Sequence, residues 1–299
     1  MILDGSRGRK NMTKDLTVGV VGLGAMGLGM AASSARAGFR TLGFDLAPEP
    51  AETARGAGVE PVPTLEDAFA ADRIVFSLPT ARDVADVIKR MAALLQQRDR
   101  VVIIDTSTSE PQVTRDLAQR LAAMGHGFLD APVSGGPAGA ANGALTMMIG
   151  GTAKDLADAQ PVIEALSSKA IHVGESGAGN VAKLVNNLLC AAHMITTAEG
   201  LRLAEAAGIS AESALDVLNA ASGRSMVSEV HFPTWVMNEG FDSGFTMALM
   251  QKDVRLARKL AEDTGTKMPL TEKAARLWAE ASYAATDDFT RMGDFRNKG

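Results

Sequence analysis

A lysine and an amide interrupt an otherwise apolar helical pattern in GAGNVAKLVNN, residues 177–187. Lys183 and Asn187 are four residues apart and Gly179 comes four residues before the lysine, so a helix would place all three in one column. A lysine withdrawn from water gives up its proton more readily, which suits it to proton transfer near neutral pH. The spacing leaves two interpretations open: an acid/base lysine facing a cleft, or a lysine whose stem packs while its ammonium reaches solvent.

A second candidate is the small-residue stretch DAPVSGGPAGAANGALTMMIGG, residues 130–151. Ser134, Gly135 and Gly136 leave backbone N–H groups uncovered by side chains beside a hydroxyl, and such a loop can bind an anion such as a carboxylate. Taken alone, the same residues are also typical of a flexible turn. The pair Asn142-Gly143 predicts a tight turn just before the strand that follows.

The stretch VGVVGLGAMG carries a third kind of chemistry, the binding of a dinucleotide. Its glycines follow an apolar strand and open a helix, where one permits a tight turn, one lets the backbone approach a pyrophosphate, and one packs the helix on the strand. The helix start offers free N–H groups to the phosphates. The predicted cofactor-binding residues of this motif are Gly22, Leu23, Gly24, Ala25, Met26 and Gly27.

The next strand ends in Asp45, 18 residues beyond Gly27. A carboxylate there would accept hydrogen bonds from the ribose hydroxyls and repel a 2′-phosphate, which predicts NAD in preference to NADP. The alternative is a surface aspartate at a strand end. Neither Arg40 nor Arg55 is placed as an obvious clamp for the additional phosphate of NADP.

The first half of the chain alternates apolar runs with helical patterns, which predicts a doubly wound Rossmann-type sheet in an α/β fold. Further strands are expected in ALTMMIGG and AIHVGE, with a helix at 153–167 between them. The predicted strands are 17–22, 40–45, 73–79, 100–108 and 127–133, and the helices between them lie near 26–37, 82–96 and 110–124. Ser109-Glu110-Pro111 is typical of a helix cap.

Strand patterns stop at residue 177, and the rest of the chain is predicted to be all-helical. We expect residues 1–13 to be a disordered extension, 14–177 to form the NAD-binding domain, and 178–299 to form a helical domain for substrate binding and oligomerisation. The predicted helices of this second domain are 178–207, 210–221, 247–264 and 270–284.

The composition excludes several classes of partner. Apolar residues make up 46% of the 299 residues and charged residues 22%, with a net charge of −5, which argues against nucleic acid or an anionic membrane surface as the main partner. No apolar run approaches the ~20 residues that span a bilayer. The single cysteine fits a reducing, cytoplasmic location, and the four histidines show no metal-ligand spacing, so we expect no metal.

Four motifs in this order and spacing resemble the β-hydroxyacid dehydrogenases, a family that includes 3-hydroxyisobutyrate dehydrogenase, semialdehyde reductases and 6-phosphogluconate dehydrogenase. They are GLGAMG, DAPVSGGPAGAANGALTMMIGG, GAGNVAKLVNN and FTMALMQKDVRLA, and the resemblance covers residues 16–295. It implies reversible oxidation of a short β-hydroxy acid to its semialdehyde by hydride transfer to the nicotinamide. A homodimer or homotetramer is also implied.

The resemblance assigns roles residue by residue. Lys183 would be the general acid/base, Ser134, Gly135 and Gly136 would hold the substrate carboxylate, and Asn187 would orient the substrate. From the helical domain, Lys252 would reach both cofactor and substrate, with Asp253 beside it; by itself, Lys252 would be interpreted as a solvated helix lysine. The nicotinamide side would be lined by Leu78, Pro79 and Thr108.

Departures from the family pattern narrow the expected reaction. True 6-phosphogluconate dehydrogenases carry a histidine where this chain has Asn186, and an amide cannot transfer a proton. NADP-preferring semialdehyde reductases commonly place Asn-Arg where this chain has Phe44-Asp45. Tartronate-, succinic- or sulfolactate-type semialdehyde reductases and dehydrogenases of sugar acids remain alternatives on the same scaffold. A catalytically inactive nucleotide-binding module and an imine or β-ketoacid reductase are rivals. The presence of Lys183 disfavours the inactive module, and Lys183 together with the Ser134-Gly135-Gly136 loop disfavours an imine reductase.

Overall fold

A computed structural model describes residues 2–4 and 16–296 of the chain. The protein divides into two compact units, Met1–Lys183 and Leu184–Gly299. The division falls six residues later than the boundary expected after residue 177, inside one long helix. Along the described ranges, no helix combines the length and the apolar character needed to cross a membrane.

The first unit is built on a sheet in which ten strands are described, with the order β1-β10-β9-β7-β6-β5-β2-β3-β4 and β8 paired to β9. Strands β2 to β7 run parallel where they pair, β9 is antiparallel to β7 and β8, and β10 is parallel to β9. The strands are β1 Ile2–Asp4, β2 Thr17–Val21, β3 Arg40–Phe44, β4 Glu60–Pro61, β5 Arg73–Phe76, β6 Val102–Asp105, β7 Gly127–Asp130, β8 Val133–Ser134, β9 Leu145–Gly150 and β10 Ser167–Gly174.

Helices connect these strands, and the continuous apolar strands are buried as expected for a sheet covered on both faces. Val102, Ile103 and Ile104, for example, are fully buried in β6. The prediction of a Rossmann-type doubly wound sheet is confirmed. The helices are α1 Ala25–Arg36, α2 Glu49–Gly56, α3 Leu65–Ala68, α4 Ala81–Leu95, α5 Pro111–Ala123, α6 Gly136–Asn142 and α7 Ala153–Leu166, followed by α8 Ala178–Ala206, which continues into the second unit.

Three local expectations differ from the structure. Ile2–Asp4 pairs antiparallel with β10, so the expected disordered extension does not hold for these residues, while residues 1 and 5–13 lie outside the described ranges. The tight turn expected at Asn142-Gly143 is instead the end of α6, with Gly143 in the left-handed conformation that commonly ends a helix. Ser109 does not cap α5, which begins after Glu110 without a side-chain cap.

The second unit is helical, as expected. Its core surrounds the fully buried Trp278 and Phe232. Sequence patterns did not predict the π-helix at Val227–Val236, because its i→i+5 turn obscures the 3.6-residue period and it contains Pro233. The remaining elements are α9 Ala211–Ala220, α10 Met247–Thr264, α11 Pro269–Glu280 and a 3₁₀ helix at Phe289–Gly293.

The start of α8 lies directly against the sheet of the first unit. A β-carbon at Gly179 would overlap the carbonyl oxygens of Asp130 in β7 and Met148 in β9. Gly179, the glycine in one column with Lys183, therefore permits close approach of the helix to two strand ends. A β-carbon at Gly200, in the same helix, would meet no atom within 4 Å.

We predict that Gly179→Ala lowers the free energy of unfolding by about 1–3 kcal/mol, because backbone atoms must shift to admit the methyl group. Gly200→Ala is the matched control: alanine favours a helix over glycine by up to ~1 kcal/mol, and the site has space, so stability should hold or rise. Denaturant unfolding of both variants measures the difference. Equal stability of the two would contradict the close approach at Gly179.

Candidate functional site

The candidate site in the first unit is built where parallel strands end. Backbone hydrogen bonds join neighbouring strand ends at this edge. Gly22 N donates to Phe44 O at 2.9 Å, Ser77 N to Val21 O at 3.0 Å, and Thr106 N to Phe76 O at 2.9 Å. The loops after β2, β3, β5 and β6 therefore emerge side by side. In open α/β sheets, this carboxyl edge is where ligands bind.

The fingerprint turn between β2 and α1 has the geometry that a pyrophosphate needs. Gly22 has a φ of 90°, and a β-carbon there would overlap the Ser77 carbonyl oxygen, whereas one at Gly27 would overlap the Gly22 carbonyl oxygen. A β-carbon at Gly24 would meet no atom within 4 Å, so the space over this residue is open. No side chain among the described residues caps α1, and its first turn, from Ala25, contains no acidic residue. The start of α1 is thus suited to an anion.

Asp45 has a second task besides the one predicted. One carboxylate oxygen accepts a hydrogen bond from Leu23 N at 2.6 Å and the other from Ala47 N at 2.9 Å. The side chain therefore supports the fingerprint turn directly. Asp45 also lines a cavity of about 370 Å³ together with Leu23, Pro63 and Arg55. The sequence had indicated no role for Arg55.

The residues predicted on the nicotinamide side lie in two adjoining loops. Leu78 and Pro79 follow β5, and Thr108 follows β6. The loops are joined because Leu78 N donates to the Ser107 hydroxyl at 3.0 Å. Leu78 and Thr108 are partly buried, and Pro79 is exposed.

Lys183 is buried, with 7% of its surface exposed, and its amino group is fixed beside the small-residue stretch. Its Nζ donates to the carbonyl oxygen of Val133 at 2.7 Å. The next residue, Ser134, ends β8, and Gly135 and Gly136 lead into α6 with φ values of 127° and 61°. The structure thus brings the predicted acid/base and the predicted carboxylate loop together within the first unit.

Asp130, at the end of β7, organises this region. Its fully buried carboxylate accepts Gly177 N at 2.8 Å and Asn180 N at 2.9 Å, at the start of α8. Burial raises the pKa of the Asp130 carboxyl, whereas these backbone N–H groups and that of Gly179 act in the opposite direction. The carboxylate therefore anchors the helix one turn before Lys183.

The second unit holds its own polar cluster around Asp253, which is 2% exposed. Asn187 Nδ2 donates to Asp253 Oδ2 at 2.6 Å, and Lys252 Nζ lies 3.5 Å from Asp253 Oδ1. Asn186 Nδ2 in turn donates to Asn187 Oδ1 at 3.1 Å. An ionised carboxylate can only accept, so Asp253 fixes which end of the Asn187 amide faces it.

Sequence reasoning assigned no role to Asp130 or Asn180 and placed Asp253 only beside Lys252. The only sequence signal for these three residues was a polar side chain within an apolar pattern. Helix caps and surface positions give the same signal, so it does not identify a functional residue. Among the residues that the structure describes, no three His, Cys, Asp or Glu side chains come together in a way that could hold a metal ion.

Two family matches together cover nearly all of the chain. Residues 17–174 match the NAD binding domain of 6-phosphogluconate dehydrogenase. Residues 177–294 match the domain described as NAD-binding of NADP-dependent 3-hydroxyisobutyrate dehydrogenase. The first match alone exceeds half of the 299 residues.

Individual relatives are similar over the same length. A 2-(hydroxymethyl)glutarate dehydrogenase of Eubacterium barkeri is 34% identical over 269 residues, covering 89% of each chain. A probable 3-hydroxyisobutyrate dehydrogenase of Mycobacterium tuberculosis is 37% identical over 286 residues, covering 92% of this chain and 96% of the relative. A solved structure of M. tuberculosis 3-hydroxyisobutyrate dehydrogenase with L-serine has a TM-score of 0.87 at 36% identity, covering 94% of this chain and 99% of its own.

We predict that Asp45→Asn lowers the preference for NADH over NADPH, measured as the ratio of dissociation constants by nicotinamide fluorescence, at least about tenfold. The negative charge is lost, and the amide nitrogen cannot accept the bond from Ala47 N, but the amide oxygen can still accept Leu23 N, so the fingerprint turn should persist. Adding Arg55→Ala to this variant should reverse the gain in NADPH affinity, because Arg55 lines the same cavity. An unchanged ratio in Asp45→Asn would contradict a role of this charge in cofactor choice.

Proposed function

The chain belongs to the β-hydroxyacid dehydrogenase family and is an NAD-binding oxidoreductase, and on this basis we propose that it interconverts a short β-hydroxy acid and its semialdehyde with Lys183 as general acid/base. The observation that carries this proposal is the buried Lys183, whose Nζ is held by the Val133 carbonyl next to Ser134. A proton-transfer group and an anion-binding loop are the two elements that oxidation of a hydroxy acid needs from the protein.

The described residues fit the cofactor. The open space over Gly24 and the uncapped start of α1 suit the pyrophosphate, and Leu78, Pro79 and Thr108 are proposed to line the nicotinamide. When bound, NAD supplies the hydride acceptor, C4 of the nicotinamide. The carboxylate of Asp45 favours NAD over NADP, because a 2′-phosphate would approach a negative charge.

Lys183 supplies the proton chemistry of the proposed reaction. In the oxidative direction, its neutral amino group takes the proton of the substrate hydroxyl while the carbon bearing that hydroxyl loses a hydride. In the reductive direction, the ammonium returns the proton to the carbonyl oxygen. The hydrogen bond to Val133 O uses one N–H and fixes the position of the amino group beside Ser134.

Five further residues are proposed to orient the substrate. Ser134, Gly135 and Gly136 would bind its carboxylate through the hydroxyl and backbone N–H groups. Asn187 would hold the reacting end, and its amide is already oriented by Asp253. Lys252, paired with the same aspartate, is proposed to add a positive charge toward substrate and cofactor.

The proposed substrates are small β-hydroxy acids. Relatives named as dehydrogenases of 3-hydroxyisobutyrate and of 2-(hydroxymethyl)glutarate support this class, since both names describe acids with a hydroxymethyl group. Asn186, where a histidine would serve a sugar-acid decarboxylase, supports simple oxidation without decarboxylation. Tartronate, succinic and sulfolactate-type semialdehydes, and sugar acids, belong in the same assay panel.

We further propose a cytoplasmic homodimer or homotetramer. The single cysteine fits a reducing compartment. Apolar side chains of α8 in the second unit are exposed, with Val185 at 50%, Leu189 at 46% and Leu203 at 72%, which supports burial against another copy.

We predict that Lys183→Ala lowers kcat by about 10²–10⁴-fold with the preferred hydroxy acid, the range expected for loss of a general acid/base. NADH binding should change little, because Lys183 Nζ donates to Val133 O, which lies outside the fingerprint turn. NADH formation followed at 340 nm with a panel of hydroxy acids measures the effect. Lys89→Ala, which removes an exposed helical lysine of the same unit, is the control; equal turnover in the two variants would disprove the proposed role.

A further inference from the structure

Asn180 lies within GAGNVAKLVNN, three residues before Lys183, and is not accounted for by the proposed chemistry. The side chain is fully buried. Its Oδ1 accepts a hydrogen bond from Ser109 N at 2.9 Å, and its Nδ2 donates to the Thr114 hydroxyl at 3.1 Å. Its own backbone N–H donates to Asp130 Oδ2. One residue therefore connects α8 to α5, to the loop before α5, and to the end of β7.

The chemistry of the partners fixes the orientation of the Asn180 amide. A backbone N–H can only donate, so Oδ1 must face Ser109, and Nδ2 then faces the hydroxyl of Thr114, which can accept. Ser109 and Thr114 are themselves buried, at 2% and 1% exposure. An apolar residue of similar size at position 180 would leave the Ser109 N–H without this acceptor in a buried position, which is the costly case for a polar group.

The two ends of this connection are the segments that the reaction must hold in register. Ser109 directly follows Thr108, on the loop proposed to line the nicotinamide, and Ser107 of that loop binds Leu78 N. On the other side, Asp130 comes three residues before Val133, whose carbonyl holds Lys183 Nζ. Asn180 joins the two segments, through its side chain to Ser109 and through its backbone N–H to Asp130.

We propose that Asn180 is a positioning residue that holds the acid/base helix in register with the nicotinamide-binding loop. The inference rests on the proposed function, because register matters only if Lys183 and the nicotinamide act on one substrate carbon and its oxygen. Displacement of a reacting group by about 1 Å can cost up to ~100-fold in rate. Asn180 touches neither substrate nor cofactor in this role and acts through the backbone of Ser109 and the turn that leads to Lys183.

The test compares Asn180→Leu and Thr114→Val with the matched control Ser167→Ala. Asn180→Leu removes both side-chain hydrogen bonds of residue 180. Thr114→Val removes only the bond between Asn180 Nδ2 and the Thr114 hydroxyl and is nearly isosteric. Ser167→Ala removes a different buried bond of the same unit, from the Ser167 hydroxyl to Ile163 O at 2.7 Å. The control therefore reports what the loss of one buried hydrogen bond does to stability alone.

For Asn180→Leu we expect kcat to fall about 30- to 100-fold, with the dissociation constant of NADH within about threefold of the wild type. The deuterium isotope effect on kcat, measured with substrate labelled at the carbinol carbon, should increase, because misalignment slows the hydride step itself. Thr114→Val should show a smaller loss of the same kind, of about 3- to 10-fold. Ser167→Ala should lower the melting temperature and leave kcat and the isotope effect unchanged.

Amide hydrogen exchange gives a readout that does not need turnover. In both network variants, but not in Ser167→Ala, peptides covering 105–110 and 178–184 should exchange at least about tenfold faster. Thr114→Val supplies this result if Asn180→Leu fails to fold. Unchanged exchange in these two segments, or an Asn180→Leu enzyme with wild-type kcat and isotope effect, would overturn the inference.

The outcomes separate this inference from the proposed function. An active Lys183→Ala enzyme would refute the acid/base role and leave the exchange result to decide whether Asn180 couples the two segments. An active wild type, an inactive Lys183→Ala variant and an unaffected Asn180→Leu variant would refute only the positioning role.

Discussion

The buried carboxylate of Asp130, which receives backbone N–H groups from the start of α8, is the interaction on which the candidate site of the first unit depends. A helix start leaves N–H groups without partners inside the helix, and a buried carboxylate is costly unless it is hydrogen-bonded. Here the N–H groups at the helix start donate to the Asp130 carboxylate, so both groups are hydrogen-bonded. The approach is possible because β-carbons are absent at Gly150 and Gly179, where they would overlap Asp130.

From this anchor, short polar contacts extend along the carboxyl edge of the sheet. Asn180 reaches the loop after β6, the Ser107 hydroxyl binds the loop after β5, and the Ser77 carbonyl packs against Gly22 of the fingerprint turn. Asp45 supports the other side of the same turn through Leu23 N. Most of these bonds join a side chain to a backbone amide, so they fix loop positions rather than only side-chain positions. A ligand at this edge therefore meets a preorganised set of loops.

Much of the fold follows from local sequence. The strands of the parallel sheet are continuous apolar runs, and α10 begins and ends at the residues its pattern predicts, because burial imposes a regular period on both. The interpretation of Asn142-Gly143 as a tight turn was wrong because the preceding small residues form α6, whose end needs the same left-handed glycine. The π-helix at Val227–Val236 follows no period that a pattern search recognises.

The candidate site was less accessible to prediction. Lys183 and Ser134 were identified by motif, and only the family resemblance implied that they act on one substrate. Local sequence does not specify their closeness, because it depends on the Val133 carbonyl 50 residues away in sequence. Asn180, Asp130 and Asp253 each act through a partner 47 to 71 residues away, and no local rule specifies such pairings. For Asp45, the motif predicted a contact with the ribose of the ligand but not the hydrogen bond from Leu23 N, by which the same side chain also supports the fingerprint turn.

Transfer of deuterium from substrate to cofactor tests the central claim most directly. The wild-type protein is incubated with NAD and short β-hydroxy acids in which deuterium replaces hydrogen on the hydroxyl-bearing carbon, and the products are analysed by mass spectrometry. The account predicts that each NADH formed carries one deuterium and that an equal amount of semialdehyde appears. NADH without deuterium, or no NADH from any acid in the panel, would contradict it.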